Sequence, residues 1–255
     1  MRVLLSNDDG IGAPGLAVLE KVARQITDDV TVVAPDTNMS ATGHSLTLKT
    51  PLRLTDRGNN RFSVNGTPTD CVVMAARHIM IEKADYMFSG VNYDSNLAED
   101  ITYSGTVAAA MEAALLGIPA IAFSQNVRKD GSIDWGVAEV FAPIVIELIV
   151  GKFTFPDHVL LNVNFPSIDP KDVKGILVTR QGTRAIDDHV IMSFDPRGEP
   201  YFWIGPAEYR KNEDSRALDT DLGAVNSGYV SITPLSLDMT HCQSLSSLKE
   251  LKRFS

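Results

Sequence analysis

Two adjacent carboxylates near the beginning of the chain are the first candidates for chemistry. The segment Ser6-Asn7-Asp8-Asp9-Gly10 follows an apolar run at residues 3–5, so we expect both aspartates at the carboxyl end of a buried strand. Adjacent carboxylates there are costly unless they are solvated, capped or bound to a cation. Their hard oxygens suit Mg²⁺, Mn²⁺ or Ca²⁺. The same residues also form a good turn and helix cap, so both interpretations stay open at this point.

A glycine-rich loop follows the acidic pair directly. Gly10-Ile-Gly12-Ala-Pro14-Gly15 matches GxGxxG between a predicted strand and a predicted helix, and Asp36 stands where a dinucleotide fold places its ribose-binding acid. A nicotinamide-dependent oxidoreductase using these three glycines is therefore an alternative from another class. Two features count against it: the acidic pair would repel a pyrophosphate, and Pro14 offers no backbone donor.

Three further polar segments follow later predicted elements. One carries the candidate ligand Ser40, a glycine and the titratable His44 in a small polar loop after the second strand. A second is rich in asparagines, which supply neutral metal ligands and phosphate donors. A third opens a helix, whose free amides and dipole favour anions. Turn formation and helix capping also explain these segments, which carry the candidates Gly43, Asn92, Asn96, Ser104, Gly105 and Thr106.

The elements that position these segments follow from hydrophobic periodicity. In the first half, short apolar strands alternate with amphipathic helices, which predicts a mostly parallel α/β sheet. The carboxyl ends of parallel strands meet at one edge of a sheet, so the candidate segments should converge there. We assign residues 1–150 to this core and 151–255 to a β-rich extension and C-terminal segment that serve oligomerisation, with a single integrated domain as the alternative. The predicted strands are 3–6, 30–34, 86–89, 120–124, 160–165, 175–180, 189–194, 201–204 and 229–233; the predicted helices are 15–26, 68–80, 105–116, 137–150 and 245–251, with a polar loop at 210–221.

Composition excludes several classes of protein. The chain has 255 residues, 44% apolar and 22% charged, which is typical of a globular protein. Its net charge of -9 argues against a partner that is a nucleic-acid polymer, because phosphate neutralisation needs clustered basic residues. The two cysteines form no metal or disulfide framework. The opening apolar run is too short for a signal peptide or a membrane span, so we expect a cytoplasmic protein without a membrane partner.

The motifs together resemble the SurE family of survival proteins, which act as nucleoside monophosphate phosphatases. The likeness begins with VLLSNDDGIGAPGL at residues 3–16 and continues through APD at 34–36 and SATGHS at 40–45. It extends through NGTPTDC at 65–71, SGVN at 89–92 and YSGTV at 103–107. NVNFP at 162–166 and GYVSITP at 228–234 are further similar blocks.

This resemblance implies a fold, an assembly and a site. The expected fold is a Rossmann-like core with a protruding, swapped β-hairpin and a swapped carboxyl-terminal segment, in homodimers or homotetramers. The expected cofactor is one Mg²⁺ or Mn²⁺ per subunit, held by residues matching Asp8, Asp9, Ser40 and Asn92. Expected phosphate contacts come from residues matching Asn96, Ser104, Gly105 and Thr106.

The implied activity is hydrolysis of nucleoside 5′- and 3′-monophosphates, with short polyphosphate as a further substrate. From the residues, we name Asp8 or Asp9 as the group that takes the proton from water, with His44 as a weaker candidate. Gly43 and His44 are also candidate contacts to the substrate. A nucleotide-binding sensor without turnover remains a third alternative. The chain departs from the family at Asp94 and Ala98, where glycines are usual, which predicts a stiffer and more acidic loop after Asn92.

Overall fold

A nine-stranded sheet, mostly parallel, forms the centre of the molecule. The computed structural model describes residues 1–187, 190–204, 208–210 and 212–251. The strands of this sheet are β1 (Val3–Ser6), β2 (Val30–Pro35), β3 (Leu54–Gly58), β4 (Arg61–Val64), β5 (Tyr86–Tyr93), β6 (Ala120–Gln125), β7 (Val159–Phe165), β8 (Ile176–Val178) and β13 (Val230–Ser236). Outside the sheet lie β9 (Ala185–Asp187), β10 (Val190–Phe194), β11 (Pro200–Ile204) and β12 (Glu208–Arg210).

The order of the strands creates a switch point at β1. In space the strands run β3-β4-β2-β1-β5-β6-β7-β13-β8, with β1 paired in parallel to β2 on one side and to β5 on the other. The chain builds outward from β1 to β2 and then crosses back to β5. Ligands of open α/β sheets bind outside the carboxyl ends of the strands at such a point. The topology therefore places the ends of β1, β2 and β5 at one edge, as the sequence predicts.

Helices cover both faces of the sheet. The described α-helices are α1 (Pro14–Arg24), α2 (Pro68–Met74), α3 (Gly105–Leu115), α4 (Gly136–Ile149), α5 (Asp221–Asn226) and α6 (Cys242–Leu251), of which α6 has no buried residue. One apolar core joins α1 and α4 to one face of the sheet, and a second joins α2 and α3 to the other. The predicted α/β class is confirmed: β1 consists of buried residues only, as a central parallel strand requires.

Local signals set the helix boundaries. Thr67 begins α2 through a capping box with Asp70, and Pro68 follows it at the first helical position, as predicted. The predicted helix 68–80 is shorter as an α-helix, because a π-helical turn, Ala75–Ile79, replaces its second half.

Gly15 lies inside α1, where an added Cβ would stand 1.9 Å from the carbonyl oxygen of Val91. The third glycine of the loop is thus required for close packing of α1 on β5.

The second half of the chain contributes to the same sheet. Strand β13 pairs antiparallel with β7 and parallel with β8, so the sheet extends beyond residue 150. The predicted polar loop at 210–221 is wrong at both ends: Arg210 belongs to β12, and Asp221 begins α5. Thr220 supplies the unpredicted helix start, because its side chain accepts a hydrogen bond from the backbone N–H of Gly223. The strand predicted from His189 is observed from Val190, and His189 lies outside the described residues.

Strands β10 and β11 form a separate antiparallel hairpin. Its large apolar side chains are exposed: Val190, Ile191, Met192, Phe194, Tyr201, Phe202, Trp203 and Ile204. In the part of the chain that is described, no helix is both long and apolar enough to cross a bilayer.

Candidate functional site

Four polar segments converge at the carboxyl edge of the sheet. The acidic pair follows β1, a loop at 38–45 follows β2, Asn92 lies near the end of β5, and Ser104 precedes α3. The register pairs Ser6 with Ser89, so the chain positions just beyond them are neighbours. Hydrogen bonds to the acidic pair from Asn38, Tyr93 and Thr106 hold these segments close to one another.

Asp8 is the buried centre of this cluster. Only 3% of its surface is exposed, and its Oδ1 accepts a hydrogen bond from the hydroxyl of Thr106 in the first turn of α3. The backbone N–H of Met39 donates to the Asp8 carbonyl at 2.7 Å, which attaches the β2 loop. A Cβ on Gly105 would stand 2.7 Å from the Asp8 Cβ, so only glycine lets α3 start this close to the carboxylate.

Burial changes the protonation chemistry of the acidic pair. The pKa of Asp8 is raised to about 6, mainly by burial. The hydrogen bond from the Thr106 hydroxyl opposes this rise, and the charge of Asp9 adds to it. The pKa of Asp9 is also raised by burial, against a hydrogen bond from the backbone N–H of Tyr93. Two neighbouring carboxylates that both resist ionisation form an environment that a cation would relieve.

Asp9 links the acidic pair to the end of β5. Its Oδ2 accepts from the backbone N–H of Tyr93 at 3.0 Å, and its Oδ1 accepts from Asn38 Nδ2 at 3.4 Å. Asn92, next to Tyr93, is buried and donates through Nδ2 to the carbonyl of Asp94 at 2.8 Å. This bond uses the NH₂ group of the Asn92 side chain, so the side-chain oxygen Oδ1 is the atom of Asn92 that is the candidate metal ligand.

Asn96 is held by hydrogen bonds with Asn162, Asn164 and Ser124, none of which is among the predicted site residues. Its backbone N–H donates to Asn164 Oδ1 at 2.8 Å, and its carbonyl accepts from Asn162 Nδ2 at 2.8 Å and Asn164 Nδ2 at 3.1 Å. Its own Nδ2 donates to Ser124 Oγ at 2.8 Å. The only signal for these supports was the NVNFP block, whose alternate polar residues point to one face of β7.

The start of α3 presents backbone N–H groups that have no partner within the helical ladder. The hydroxyl of Ser104 accepts from the backbone N–H of Val107 at 3.0 Å and is the helix cap, which confirms the simpler of its two interpretations. The first amides of an α-helix have no partner inside the helix, and here they begin beside Asp8. The arrangement sets an anion-accepting helix end against an acidic pair.

The β2 loop is fastened to the same helix. The N–H of Gly43 donates to the Tyr103 carbonyl at 3.0 Å, so this amide is engaged within the protein. His44 Nε2 lies 2.9 Å from Glu112 Oε2, on α3. Ser40 is exposed, and its backbone N–H donates to Asn38 Oδ1 at 2.9 Å, within the loop attached to Asp8 and Asp9.

The donor set has few charged groups. Within the described ranges, no group of three or more histidine, cysteine, aspartate or glutamate side chains is placed to hold a metal ion. The predicted set instead combines two carboxylates with a hydroxyl and an amide, from Asp8, Asp9, Ser40 and Asn92. Oxygen donors of this kind fit Mg²⁺ or Mn²⁺, which keep several waters and need few protein carboxylates.

The fold and the site define an open α/β protein with an oxygen-rich acidic cluster beside a helix start. Comparison with known proteins gives its family. The sequence pattern described as "Survival protein SurE" matches residues 3–188. The 5′-nucleotidase SurE of Paramagnetospirillum magneticum is 48% identical over 250 residues, covering 98% of this chain and 95% of that protein. The 5′-nucleotidase SurE of Brucella canis is 48% identical over 94% of each chain.

A solved structure agrees with these sequence comparisons. The crystal structure of the SurE protein from Aquifex aeolicus superposes with a TM-score of 0.83 at 41% identity, covering 98% of this chain and 99% of that one. The chain therefore belongs to the SurE family, and the resemblance seen in its motifs is confirmed. The glycine loop is accordingly part of a SurE fold rather than a nicotinamide-binding fingerprint.

Proposed function

We propose that this chain is a 5′-nucleotidase that hydrolyses nucleoside 5′- and 3′-monophosphates to nucleoside and phosphate, with short polyphosphate as a further substrate. The observation that carries the proposal is the position of Asp8, whose carboxylate contacts the first turn of α3 through Thr106. A site of this kind brings acidic oxygens and an anion-accepting helix end together. Relatives that are 48% identical over nearly the whole chain carry the name 5′-nucleotidase SurE.

The acidic side of the site would hold the cofactor. One Mg²⁺ or Mn²⁺ per subunit would be bound by Asp8, Asp9, Ser40 and Asn92, a set of hard oxygen donors. When bound, such an ion polarises a phosphate oxygen and lowers the pKa of a coordinated water. The raised pKa values of Asp8 and Asp9 support this assignment, because a cation offsets the cost of burying their charges.

The helix side of the site would hold the phosphate. The backbone amides of Gly105 and Thr106 lie at the positive end of α3, directly after its cap, Ser104. Asn96 would add a further contact to the phosphate. The supports beneath Asn96 fix its backbone, so its side chain would be positioned before substrate arrives. Gly43 and His44 lie in the loop fastened to α3 and would border the substrate rather than provide its main contacts.

Asp8 and Asp9 would also handle the proton of the attacking water. His44 is the weaker candidate because its Nε2 faces Glu112. The amides of α3 would meanwhile stabilise charge on the phosphate oxygens as the ester bond breaks.

Phosphate release tests this function. Purified protein with Mn²⁺ or Mg²⁺ should release phosphate from AMP and GMP, lose this activity in EDTA and regain it when the metal is restored. A non-catalytic nucleotide sensor would instead bind AMP without release. Unchanged rates in EDTA would contradict the metal assignment, and tight NAD(H) binding with no phosphate release would revive the oxidoreductase alternative.

The exposed hairpin supports an assembly role for the second half of the chain. We infer that the parts of residues 151–255 outside the central sheet assemble homodimers or homotetramers, with β10 and β11 covered by another subunit. Eight large apolar side chains exposed on one hairpin would otherwise face water. Replacing Phe202 and Trp203 by serine should lower the mass measured by light scattering; an unchanged mass would contradict this role.

A cytoplasmic location remains part of the proposal, which fractionation of cells would test.

A further inference from the structure

The segment between Asn96 and Ser104 is fixed by the C-terminal half of the chain. It begins with Leu97 and continues as a 3₁₀ helix, Ala98–Thr102. Ala98 is completely buried and has a φ of 51°. This left-handed conformation is unfavourable for a residue with a Cβ and is usually occupied by glycine. Interactions outside the segment must therefore hold Ala98 in place.

Both backbone polar groups of Ala98 are bound by distant residues. Its N–H donates to Asp221 Oδ2 at 2.9 Å, and its carbonyl accepts from Gln181 Nε2 at 2.9 Å. These partners lie 123 and 83 positions away along the chain. The peptide groups on either side of the left-handed residue are thus set by residues outside the core assigned to 1–150.

The carboxylate of Asp221 is itself rigidly oriented. It is completely buried, and its Oδ1 accepts from the backbone N–H groups of Gly182 and Leu222, both at 2.8 Å. A Cβ on Gly182 would stand 2.9 Å from the same oxygen, so the close approach requires glycine. A carboxylate held by two amides through one oxygen presents the other to Ala98 in one direction only.

We propose that Asp221 is a positioning residue for the phosphate-binding groups and acts through the backbone of Ala98. The proposal rests on the proposed function, which assigns those groups to Asn96 and to the start of α3. A right-handed conformation at Ala98 would change the direction of the chain between Asn96 and the start of α3. Asp221 therefore fixes the path of the chain between Asn96 and Ser104 through its hydrogen bond to Ala98.

The variant Asp221→Asn removes one acceptor without changing the size of the side chain. Its NH₂ group would face either the N–H of Ala98 or those of Gly182 and Leu222, and two donors repel. We expect kcat/KM for AMP to fall roughly ten- to a hundredfold, as small misplacements of binding groups do. The matched control is Asp219→Asn, whose side chain is 68% exposed; it should retain the wild-type rate.

A second substitution separates positioning from simple destabilisation. Glycine adopts the left-handed conformation without a steric penalty, so Ala98→Gly should restore most of the activity lost in Asp221→Asn. Ala98→Gly alone should stay near the wild-type rate. Full activity of Asp221→Asn, or a double variant no better than the single one, would overturn the proposal.

Amide hydrogen exchange gives a readout that does not depend on turnover. Peptides spanning residues 96–106 should exchange faster in Asp221→Asn than in the wild type and in Asp219→Asn. If the wild type releases no phosphate, the proposed function fails, and the exchange rates still test the connection through Ala98. Unchanged exchange across 96–106 would overturn that connection whatever the activity.

Discussion

Replacing Asp8 by asparagine should stabilise the metal-free protein at neutral pH while it removes activity. Asp8 is almost fully buried, and asparagine keeps both its shape and an oxygen that can accept the hydrogen bond from Thr106. The substitution removes the charge, and it also places an NH₂ group near the backbone N–H groups of Asp8 and Thr106, which offsets part of the gain. A carboxylate that is unfavourable in the folded protein but needed for chemistry is a typical source of conflict between stability and activity.

The size of the effect follows from the pKa of Asp8. Raising that pKa from 3.8 to about 6 corresponds to about 3 kcal/mol at about 1.4 kcal/mol per pKa unit. The folded state holds the proton more tightly than the unfolded state, so stability is lost as the pH rises from about 4 to about 6. Above that range the whole cost of ionisation is present. Asparagine has no such cost at any pH.

Denaturant unfolding in EDTA measures this difference. At pH 7.5 the Asp8→Asn variant should exceed the wild type by up to about 3 kcal/mol, and the gain should vanish near pH 4. Asp28→Asn, at an exposed position, is the control. A variant less stable than the wild type at pH 7.5, or a difference independent of pH, would refute the reasoning. Saturating Mn²⁺ should reduce or reverse the stability advantage of Asp8→Asn over the wild type, because only the wild type keeps all the proposed metal ligands.

Three further outcomes follow from the same contacts. Asp9→Ala should lower kcat by about 10²-fold or more, as loss of a charge-stabilising group does, and near-normal turnover would count against its role. Thr106→Val removes the hydroxyl that donates to Asp8 and should lower kcat at least about tenfold. Thr106→Ser keeps a hydroxyl and should retain most of the wild-type kcat. Equal kcat values in the two variants would show that the hydroxyl has no role in turnover. Gly15→Ala places a Cβ 1.9 Å from a carbonyl oxygen and should cost about 1–3 kcal/mol in denaturant unfolding, while Gly12→Ala, with nothing within 4 Å, should cost less; the reverse order would contradict the packing role.

Much of the core was predictable because its signals are local. Strand β1 matches its prediction at both ends, since a short apolar run before two aspartates and a glycine can hardly be anything but a buried strand with a turn. Strand β5 is longer than predicted and includes Asn92, because polar residues near the site break the apolar pattern while the sheet pairing continues. The convergence of the candidate segments was predictable from parallel topology alone.

The supports of the site were not predictable from local patterns. Asn164 holds Asn96 across 68 positions, and Thr106 reaches Asp8 across 98. The NVNFP block marks Asn164 as a polar residue of β7 but does not identify Asn96 as its partner, and no local pattern pairs Thr106 with Asp8. The departures from family glycines did carry a signal: Asp94 and Ala98 both adopt positive φ, at 79° and 51°, where glycine would be unstrained. What held Ala98 there became visible only once Asp221 was placed in space.

The diffraction of crystals soaked with Mn²⁺ and phosphate, measured at an energy where manganese scatters anomalously, tests the central claim most directly. One anomalous peak should lie among the oxygens of Asp8, Asp9, Ser40 and Asn92, with phosphate density against the amides of Gly105 and Thr106. A manganese peak elsewhere, or phosphate bound away from the start of α3, would contradict the proposed site.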